Sequence, residues 1–213
     1  MIPRLIADVF SAPSRFPGGA VLFRQNDAVR ALYLIEDGVV RLTRSELGRE
    51  FLIGLRTGGS LVGATAALLA RPQPLAATTL GECLLRQVPA ATLINEYLDD
   101  PDVGLWLCKM QARDAVDHLA TLGVFGLSQP RLRLERLLMR LQMACGVPCA
   151  DGSIRLMSPL THEQYAEAIG ASREHVTRLL GQLCREGWLR RSGGWLIVPK
   201  TSPLLRAERA MTA

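Results

Sequence analysis

The sequence lacks several features that would place it in a membrane or outside the cell. No apolar run approaches the roughly 18 residues that span a bilayer. The first residues do not combine a basic head with an apolar run and a cleavage site. Five cysteines occur without a C-x2-C pair, which argues against a disulfide scaffold and a structural zinc site. We therefore expect a soluble, cytoplasmic protein with reduced thiols and no membrane partner.

Motifs of the common enzyme classes are also missing. There is no P-loop, no G-x-G-x-x-G fingerprint and no G-x-S-x-G elbow. A cupin-type metal-dependent enzyme is the alternative, because β-rolls can hold a catalytic metal. Its histidine ligands are absent from the predicted β region, since the three histidines are His118, His162 and His175. We predict neither catalysis nor a metal site.

Positive charge is concentrated in the C-terminal part. Residues 1–127 hold 12 Lys+Arg and 13 Asp+Glu, a net charge of −1, while residues 128–213 hold 13 and 7, a net charge of +6. Nearly all of these cations are arginines, whose planar guanidinium binds phosphates and guanine edges. The excess fits a module that faces a polyanion, although a solvated basic surface would look the same.

The N-terminal part is typical of a small antiparallel β-structure. Short apolar runs at residues 20–23, 32–35, 39–42, 51–55 and 83–88 are separated by glycine-containing turns. A short helix is expected within residues 60–70, and a helical turn region follows Pro89. We predict an α+β protein whose residues 1–98 form a β-roll of the cupin-like, jelly-roll kind.

Residues 99–125 are predicted to form a long dimerisation helix. Apolar side chains recur at spacings of three and four, as in the a/d seam of a coiled coil, at Leu105, Cys108, Ala112, Ala115, Leu119 and Leu122. A second apolar side, formed by Trp106, Leu107, Met110 and Val116, is expected to pack on the β-domain. Gly123 and Gly126 are expected to break the helix. The alternative is a helix buried only within its own chain.

Residues 126–213 contain the pattern of a winged helix-turn-helix. Thr161 and Gln164 have the spacing of a capping box, and Gly170 permits a sharp turn. Ser172 then caps a second helix over residues 173–186, which buries one face and exposes the other. The buried side chains are expected to be Val176, Leu179, Leu180 and Leu183, and the exposed ones Arg173, Glu174, Thr177 and Arg178.

The exposed residues at the start of the second helix suit base recognition in the major groove. Arginine pairs bidentately with guanine, and glutamate accepts a hydrogen bond from the cytosine amine. The alternative for Glu174 is that it only favours the helix N-terminus and pairs with Arg178. Two further β runs around Gly193 and Gly194 predict a wing whose Arg190 and Arg191 contact the DNA backbone.

The segment L-T-H-E-Q-Y-A-E-A-I-G-A-S-R-E-H-V-T-R-L-L at residues 160–180 resembles the helix-turn-helix of the Crp/Fnr family of transcription regulators. The resemblance spans essentially the whole chain. It implies that Arg173, Glu174 and Arg178 read bases and that Thr161 contacts a phosphate. It further implies a homodimer on double-stranded DNA, at a palindromic operator with TGTGA-like half-sites, and a contact with RNA polymerase.

The effector region departs from the members of this family that bind cAMP. Those members use a Gly-Glu pair for the ribose and an Arg-Ser pair for the cyclic phosphate, whereas this sequence has Gly63-Ala64 and Gln73-Pro74. Losing the guanidinium partner of the phosphate argues against cAMP. Arg71 remains as a substitute from a shifted loop. The candidate effector pocket comprises Gly63, Ala64, Arg71, Gln73, Ala76 and Thr78.

Other input signals stay open. An iron–sulfur cluster is not expected, because the first cysteine is Cys83 and cluster ligation normally takes four thiolates. Haem ligation by Cys83, His118 or Met110 is left open, as is a thiol switch at Cys145 and Cys149. A third hypothesis is an effector-independent DNA-binding dimer in which the β-domain only supports dimerisation.

Overall fold

A computed structural model describes residues 9–126, 129–156 and 160–205. The chain divides into two compact units, residues 1–121 and 122–213. The predicted boundaries at residues 98 and 125 remain predictions. Across the described residues, no helix is long and apolar enough to cross a membrane.

The first unit is built on two four-stranded antiparallel sheets. One sheet has the order β1-β8-β3-β6 and the other has the order β2-β7-β4-β5. The strands are β1 (Ser14–Phe16), β2 (Val21–Phe23), β3 (Ala31–Asp37), β4 (Val40–Glu46), β5 (Arg49–Arg56), β6 (Leu61–Val62), β7 (Ala76–Thr79) and β8 (Cys83–Pro89). The predicted antiparallel β-domain is confirmed, with β1, β6 and β7 as strands that the sequence did not indicate.

Alternation along β3 divides the core of this unit into two clusters. Ile35 lies between the two sheets with Val40, Leu42 and Leu85. Leu34, its neighbour in sequence, belongs to a second cluster on the helix side of its sheet. Successive side chains of a strand point to opposite faces, so one strand supplies both cores.

Three helices accompany these strands: α1 (Ala64–Leu68), α2 (Ala90–Asp99) and α3 (Pro101–Phe125), the last of which continues four residues past the boundary at residue 121. Trp106, Leu107 and Met110 are buried against the β-domain, as predicted. Val116 is 64% exposed, so the prediction that it packs there is wrong. Gly123 does not break α3, since the helix continues to Phe125. An interior glycine lowers helix stability by only about 1 kcal/mol relative to alanine.

The second unit combines three helices with a four-stranded sheet of order β11-β12-β10-β9. Its elements are α4 (Pro130–Cys145), β9 (Gly146–Pro148), β10 (Ile154–Leu156), α5 (His162–Ile169), α6 (Arg173–Arg185), β11 (Arg190–Ser192) and β12 (Trp195–Val198). Leu134, Leu137, Leu138 and Leu141 form the buried side of α4, as predicted. The predicted α+β class and winged helix-turn-helix are confirmed.

Candidate nucleic-acid interface

A complete capping box begins α5. The Thr161 hydroxyl oxygen accepts a hydrogen bond from the Gln164 backbone N–H at 3.2 Å, and the Gln164 side-chain oxygen accepts from the Thr161 backbone N–H at 2.9 Å. These two bonds satisfy amide groups that the first turn of a helix leaves unpaired. At the other end, Gly170 adopts the left-handed region, with φ of 60° and ψ of 50°, and turns the chain toward α6.

One face of α6 is buried and the opposite face is exposed. The Ser172 hydroxyl caps the helix by accepting a hydrogen bond from the His175 backbone N–H at 3.2 Å. The face formed by Val176, Leu179, Leu180 and Leu183 is buried. The predicted contact residues Arg173, Glu174, Thr177 and Arg178 all lie exposed at the start of the helix, in the part of a recognition helix that reaches base edges.

Glu174 keeps its negative charge at the start of α6. Hydrogen bonds from its own backbone N–H and from the Ser172 hydroxyl lower the pKa of this carboxyl, and Arg173 lowers it further. An ionised carboxylate is an acceptor only, which is the form that a cytosine amine requires. The same bonds also fit the alternative in which Glu174 stabilises the helix N-terminus.

His162, the first residue of α5, connects α6 with the wing. Its Nδ1 lies 2.7 Å from the Thr177 hydroxyl oxygen, and its Nε2 lies 3.2 Å from Nη2 of Arg191 on β11. The Thr177 hydroxyl donates to the backbone carbonyl of Arg173 at 2.9 Å. Sequence analysis used His162 only to exclude a metal site, because no local pattern indicates its contact with the wing.

The two wing arginines differ in their surroundings. They are neighbours on β11, so their side chains point to opposite faces of the strand. Arg191 contacts His162 on the side of the helix pair, whereas Nη2 of Arg190 lies 3.4 Å from a carboxylate oxygen of Asp151. Both arginines are exposed. Arg191 is therefore the wing residue that shares a surface with α6.

An ion pair joins the C-terminal end of α6 to α4. Arg131 donates two parallel hydrogen bonds to the Glu186 carboxylate, at 2.8 and 2.5 Å, and its Nε donates to Glu135 at 2.8 Å. Its guanidinium also lies over the Trp188 ring, 5.1 Å from the ring centre. Bidentate pairs of this kind restrict geometry as well as adding energy, so this pair helps to hold the C-terminal end of α6 beside α4.

The predicted seam of α3 is exposed along its length. Leu105, Leu119 and Leu122 have exposed fractions of 53, 66 and 64%. Cys108, Ala112 and Ala115, the remaining seam residues, are exposed as well. A row of exposed leucines on one helix face is the surface that a second helix would cover.

The first unit contains a small cavity of about 40 Å³ at the region predicted to bind an effector. Gly63, Ala64 and Gln73 line it, whereas Arg71 is exposed to solvent and is not part of the lining. Ala76 and Thr78 lie on β7 outside the lining. The other lining residues are Phe23, Leu42, Arg56, Leu61, Val62, Thr65, Pro74, Leu75, Asp114 and His118.

Arg56 is the charged centre of this cavity, and its side chain is only 1% exposed. Its Nε lies 2.8 Å from Asp114 Oδ1, its Nη1 donates to the Leu55 carbonyl at 3.1 Å, and its Nη2 lies 3.0 Å from His118 Nε2. Burial raises the pKa of Asp114, and Arg56 partly opposes that rise. Sequence analysis missed Arg56 and Asp114, although an arginine directly after the apolar run 51–55 was a usable signal.

The candidate haem ligands do not come together. Cys83 is buried between the two sheets, Met110 belongs to the core cluster on the helix side, and His118 lines the effector cavity. The five cysteines, which all lie in the described part of the chain, form no disulfide. Within the described part of the chain, no group of three or more His, Cys, Asp or Glu side chains is arranged to hold a metal.

Two family models match the chain, one for each type of domain. A cyclic nucleotide-binding domain matches residues 13–100, and a Crp-like helix-turn-helix domain matches residues 132–207. A CRP-like cAMP-activated global transcriptional regulator of Mycobacterium tuberculosis is 26% identical over 198 residues, covering 92% of this chain and 88% of that protein. A global nitrogen regulator of Nostoc is 27% identical over 192 residues, covering 84% and 86%.

Solved structures share the fold over most of the chain. The CRP-family transcriptional regulator TTHB099 of Thermus thermophilus has a TM-score of 0.79 at 21% identity, covering 92% of this chain and 96% of that one. The c-di-GMP-responsive global regulator CLP of Xanthomonas campestris has a TM-score of 0.77 at 20% identity, covering 92% and 97%. At these identities the likeness establishes the arrangement of elements only.

Replacing Asp114 by Asn is expected to destabilise the first unit. The change removes the carboxylate charge but keeps the side-chain shape, so the buried Arg56 loses its closest counter-charge. We expect a loss near the lower end of the roughly 3–5 kcal/mol typical of a broken buried pair, measured by urea unfolding at neutral pH. Asp117→Asn is the matched control, because its carboxylate is 56% exposed and 3.8 Å from Arg56. Equal effects of the two variants would contradict this account.

Proposed function

Because the chain belongs to the Crp/Fnr family of DNA-binding transcription regulators, we propose that it reads a palindromic operator as a homodimer. Each protomer would insert α6 into the major groove of one half-site, with TGTGA-like half-sites as the expected sequence. The bound dimer would contact RNA polymerase. The protein would act in the cytoplasm and would not act as an enzyme.

The observation that carries this proposal is the exposed start of α6. Arg173, Glu174 and Arg178 lie together on a helix whose other face is buried. Guanidinium groups pair with guanine O6 and N7, and the carboxylate accepts from cytosine N4, so the three side chains match G·C pairs of a half-site. Thr161, whose hydroxyl accepts the Gln164 N–H and has its own proton to donate, is proposed to bind a phosphate and fix the register. Ser172 and Thr177 are proposed to lie against the sugar-phosphate backbone.

The wing adds contacts that are independent of sequence. Arg191 lies on the same side of the second unit as α6, which supports a phosphate contact beside the groove that α6 enters. Arg190 is proposed to contribute less, because Asp151 partly neutralises it and its side chain points away from the helix pair. The net charge of +6 in residues 128–213 supports attraction to the duplex.

Dimerisation is proposed to proceed along α3. Its seam residues are Leu105, Cys108, Ala112, Ala115, Leu119 and Leu122, and their exposure leaves an apolar strip without cover in one chain. A two-fold dimer would cover both strips at once and would place two copies of α6 on one face of the DNA.

We propose that a signal other than cAMP controls the protein. Gly63, Ala64 and Gln73 line the cavity. The guanidinium group that faces it is that of Arg56, which already contacts Asp114, the Leu55 carbonyl and His118. A cyclic phosphate would have to compete with these groups. The same cluster favours a second candidate, an effector-independent dimer, because side chains of the chain itself, Arg56 on β5 with Asp114 and His118 on α3, link these two elements.

Arg173→Ala is expected to relax base preference at one position of each half-site. Loss of a bidentate guanine contact should reduce discrimination by about 1–3 kcal/mol, measured by fluorescence anisotropy with operator variants. Arg190→Ala removes the same charge from the wing and should leave base preference unchanged. Unaltered discrimination in Arg173→Ala would contradict the assignment of α6 as the reading helix.

Leu119→Arg is expected to convert the dimer to monomers. The substitution places a charge on an exposed seam position, where it would have to be buried between two helices. Analytical ultracentrifugation should show a mass near one chain. Leu47→Arg alters a fully exposed leucine in the β4–β5 turn, outside the seam, and should leave the dimer intact. A dimer that survives Leu119→Arg would refute α3 as the interface.

Millimolar cAMP is expected to leave the thermal unfolding midpoint unchanged. A ligand stabilises the folded state only if it binds there, and the cavity offers the cyclic phosphate no free guanidinium. Arg71→Ala serves as the comparison, because Arg71 is the substitute that sequence analysis left open. A saturable rise in the midpoint that Arg71→Ala abolishes would show that cAMP binds through this loop.

A further inference from the structure

A chain of hydrogen bonds crosses from the wing to the recognition helix through one imidazole. Nη2 of Arg191 lies 3.2 Å from His162 Nε2, and His162 Nδ1 lies 2.7 Å from the Thr177 hydroxyl oxygen. The chain ends at the Arg173 carbonyl, which accepts from the Thr177 hydroxyl at 2.9 Å. Each participating side chain therefore touches a residue that the proposed function assigns to DNA, or is such a residue itself.

Only one protonation state of His162 satisfies all three bonds. A guanidinium has donors and no acceptor, so Nε2 must accept the bond from Arg191. The Thr177 proton is already directed at the Arg173 carbonyl, so the hydroxyl oxygen must accept a proton from Nδ1. The imidazole is therefore neutral and carries its proton on Nδ1.

The charges around His162 favour the neutral form. Partial burial lowers its pKa below the ordinary value, and the nearby cations Arg191 on β11 and Arg173 on α6 lower it further. A protonated imidazole would present an N–H group to the Arg191 guanidinium, losing the acceptor and adding repulsion. The ring thus acts at neutral pH as a donor to α6 and an acceptor for the wing.

We infer that His162 is a positioning residue that holds the wing arginine Arg191 in register with α6, so that both contact the same duplex. This role rests on the proposed function, because it matters only if Arg191 and α6 bind DNA. His162 acts through Arg191 and makes no base contact of its own. Without the imidazole, the Arg191 side chain would have to be ordered at the moment of binding, and affinity would fall.

Two amide variants of His162 test its acceptor function and its donor function separately. His162→Gln keeps an acceptor within reach of Arg191, whereas His162→Asn keeps a donor near Thr177 and is too short to reach the wing. By anisotropy at a pH where histidine is neutral, His162→Asn and His162→Ala should each weaken operator binding about threefold to tenfold, the range of one net hydrogen bond. His162→Gln should remain within about twofold of the wild type. Equal losses of operator affinity in His162→Asn and His162→Gln would overturn the inference.

A double-mutant cycle tests whether His162 acts through Arg191. In the Arg191→Ala background, His162→Ala should cause no further loss, because the partner is gone. The slope of log affinity against log salt should be the same for wild type and His162→Gln. A slope reduced by about one contact would mean that His162 is protonated and neutralises a phosphate itself. Either that result or a further loss of affinity from His162→Ala in the Arg191→Ala background would overturn the inference.

A measurement without DNA separates this inference from the proposed function. Nitrogen-15 NMR of the free full-length protein should show His162 with a protonated Nδ1 and an unprotonated Nε2. A protonated Nε2 at neutral pH would contradict the proposed chain of hydrogen bonds through His162, even if the protein binds its operator. If the wild type binds no palindromic DNA while the Nδ1–H form is observed, the proposed function fails and the hydrogen-bond chain itself stands.

Discussion

The burial of one face of α6 is the constraint on which the rest of the structure depends. Once Val176, Leu179, Leu180 and Leu183 pack inward, the helical period leaves the side chains of residues 173, 174, 177 and 178 on the outside. The left-handed turn at Gly170 connects α5 to α6, and the Arg131–Glu186 ion pair joins α4 to the C-terminal end of α6. The positive charge of residues 128–213 and the hydrogen bonds of His162 add to a surface that exists only because this face is packed inward.

Sequence alone predicted the elements whose signals are local. The capping box of Thr161 and Gln164, the period of α6 and the Gly-Gly wing all lie within short windows, and each is present in the structure. The contacts that sequence missed join distant positions. Arg56 and His118 are 62 residues apart, and Arg191 and His162 are 29 apart. No periodicity encodes such pairs, because only the assembled sheets and helices bring them together. Strands β1, β6 and β7 were missed because none of them is a run of large apolar residues: β1 is Ser-Arg-Phe, β6 has only two residues and β7 is Ala-Ala-Thr-Thr.

In the first unit, similarity of fold and similarity of the ligand-binding side chains are separate questions. The match to a cyclic nucleotide-binding domain covers residues 13–100, yet Ala64 and Gln73 stand where the ribose and phosphate partners are expected. Fold similarity reflects the pattern of the sheets, whereas ligand choice depends on a few side chains. The guanidinium inside this cavity belongs to Arg56, which contacts Asp114 and His118.

Selection of binding sequences from a random DNA library tests the central claim most directly. If two copies of α6 read the duplex from a dimer on α3, the enriched sites will be two-fold symmetric, with half-site centres about 10–10.5 base pairs apart. Conserved G·C pairs should occupy the positions opposite Arg173, Glu174 and Arg178. Enrichment of a single asymmetric site, or no enrichment over the starting library, would contradict the account.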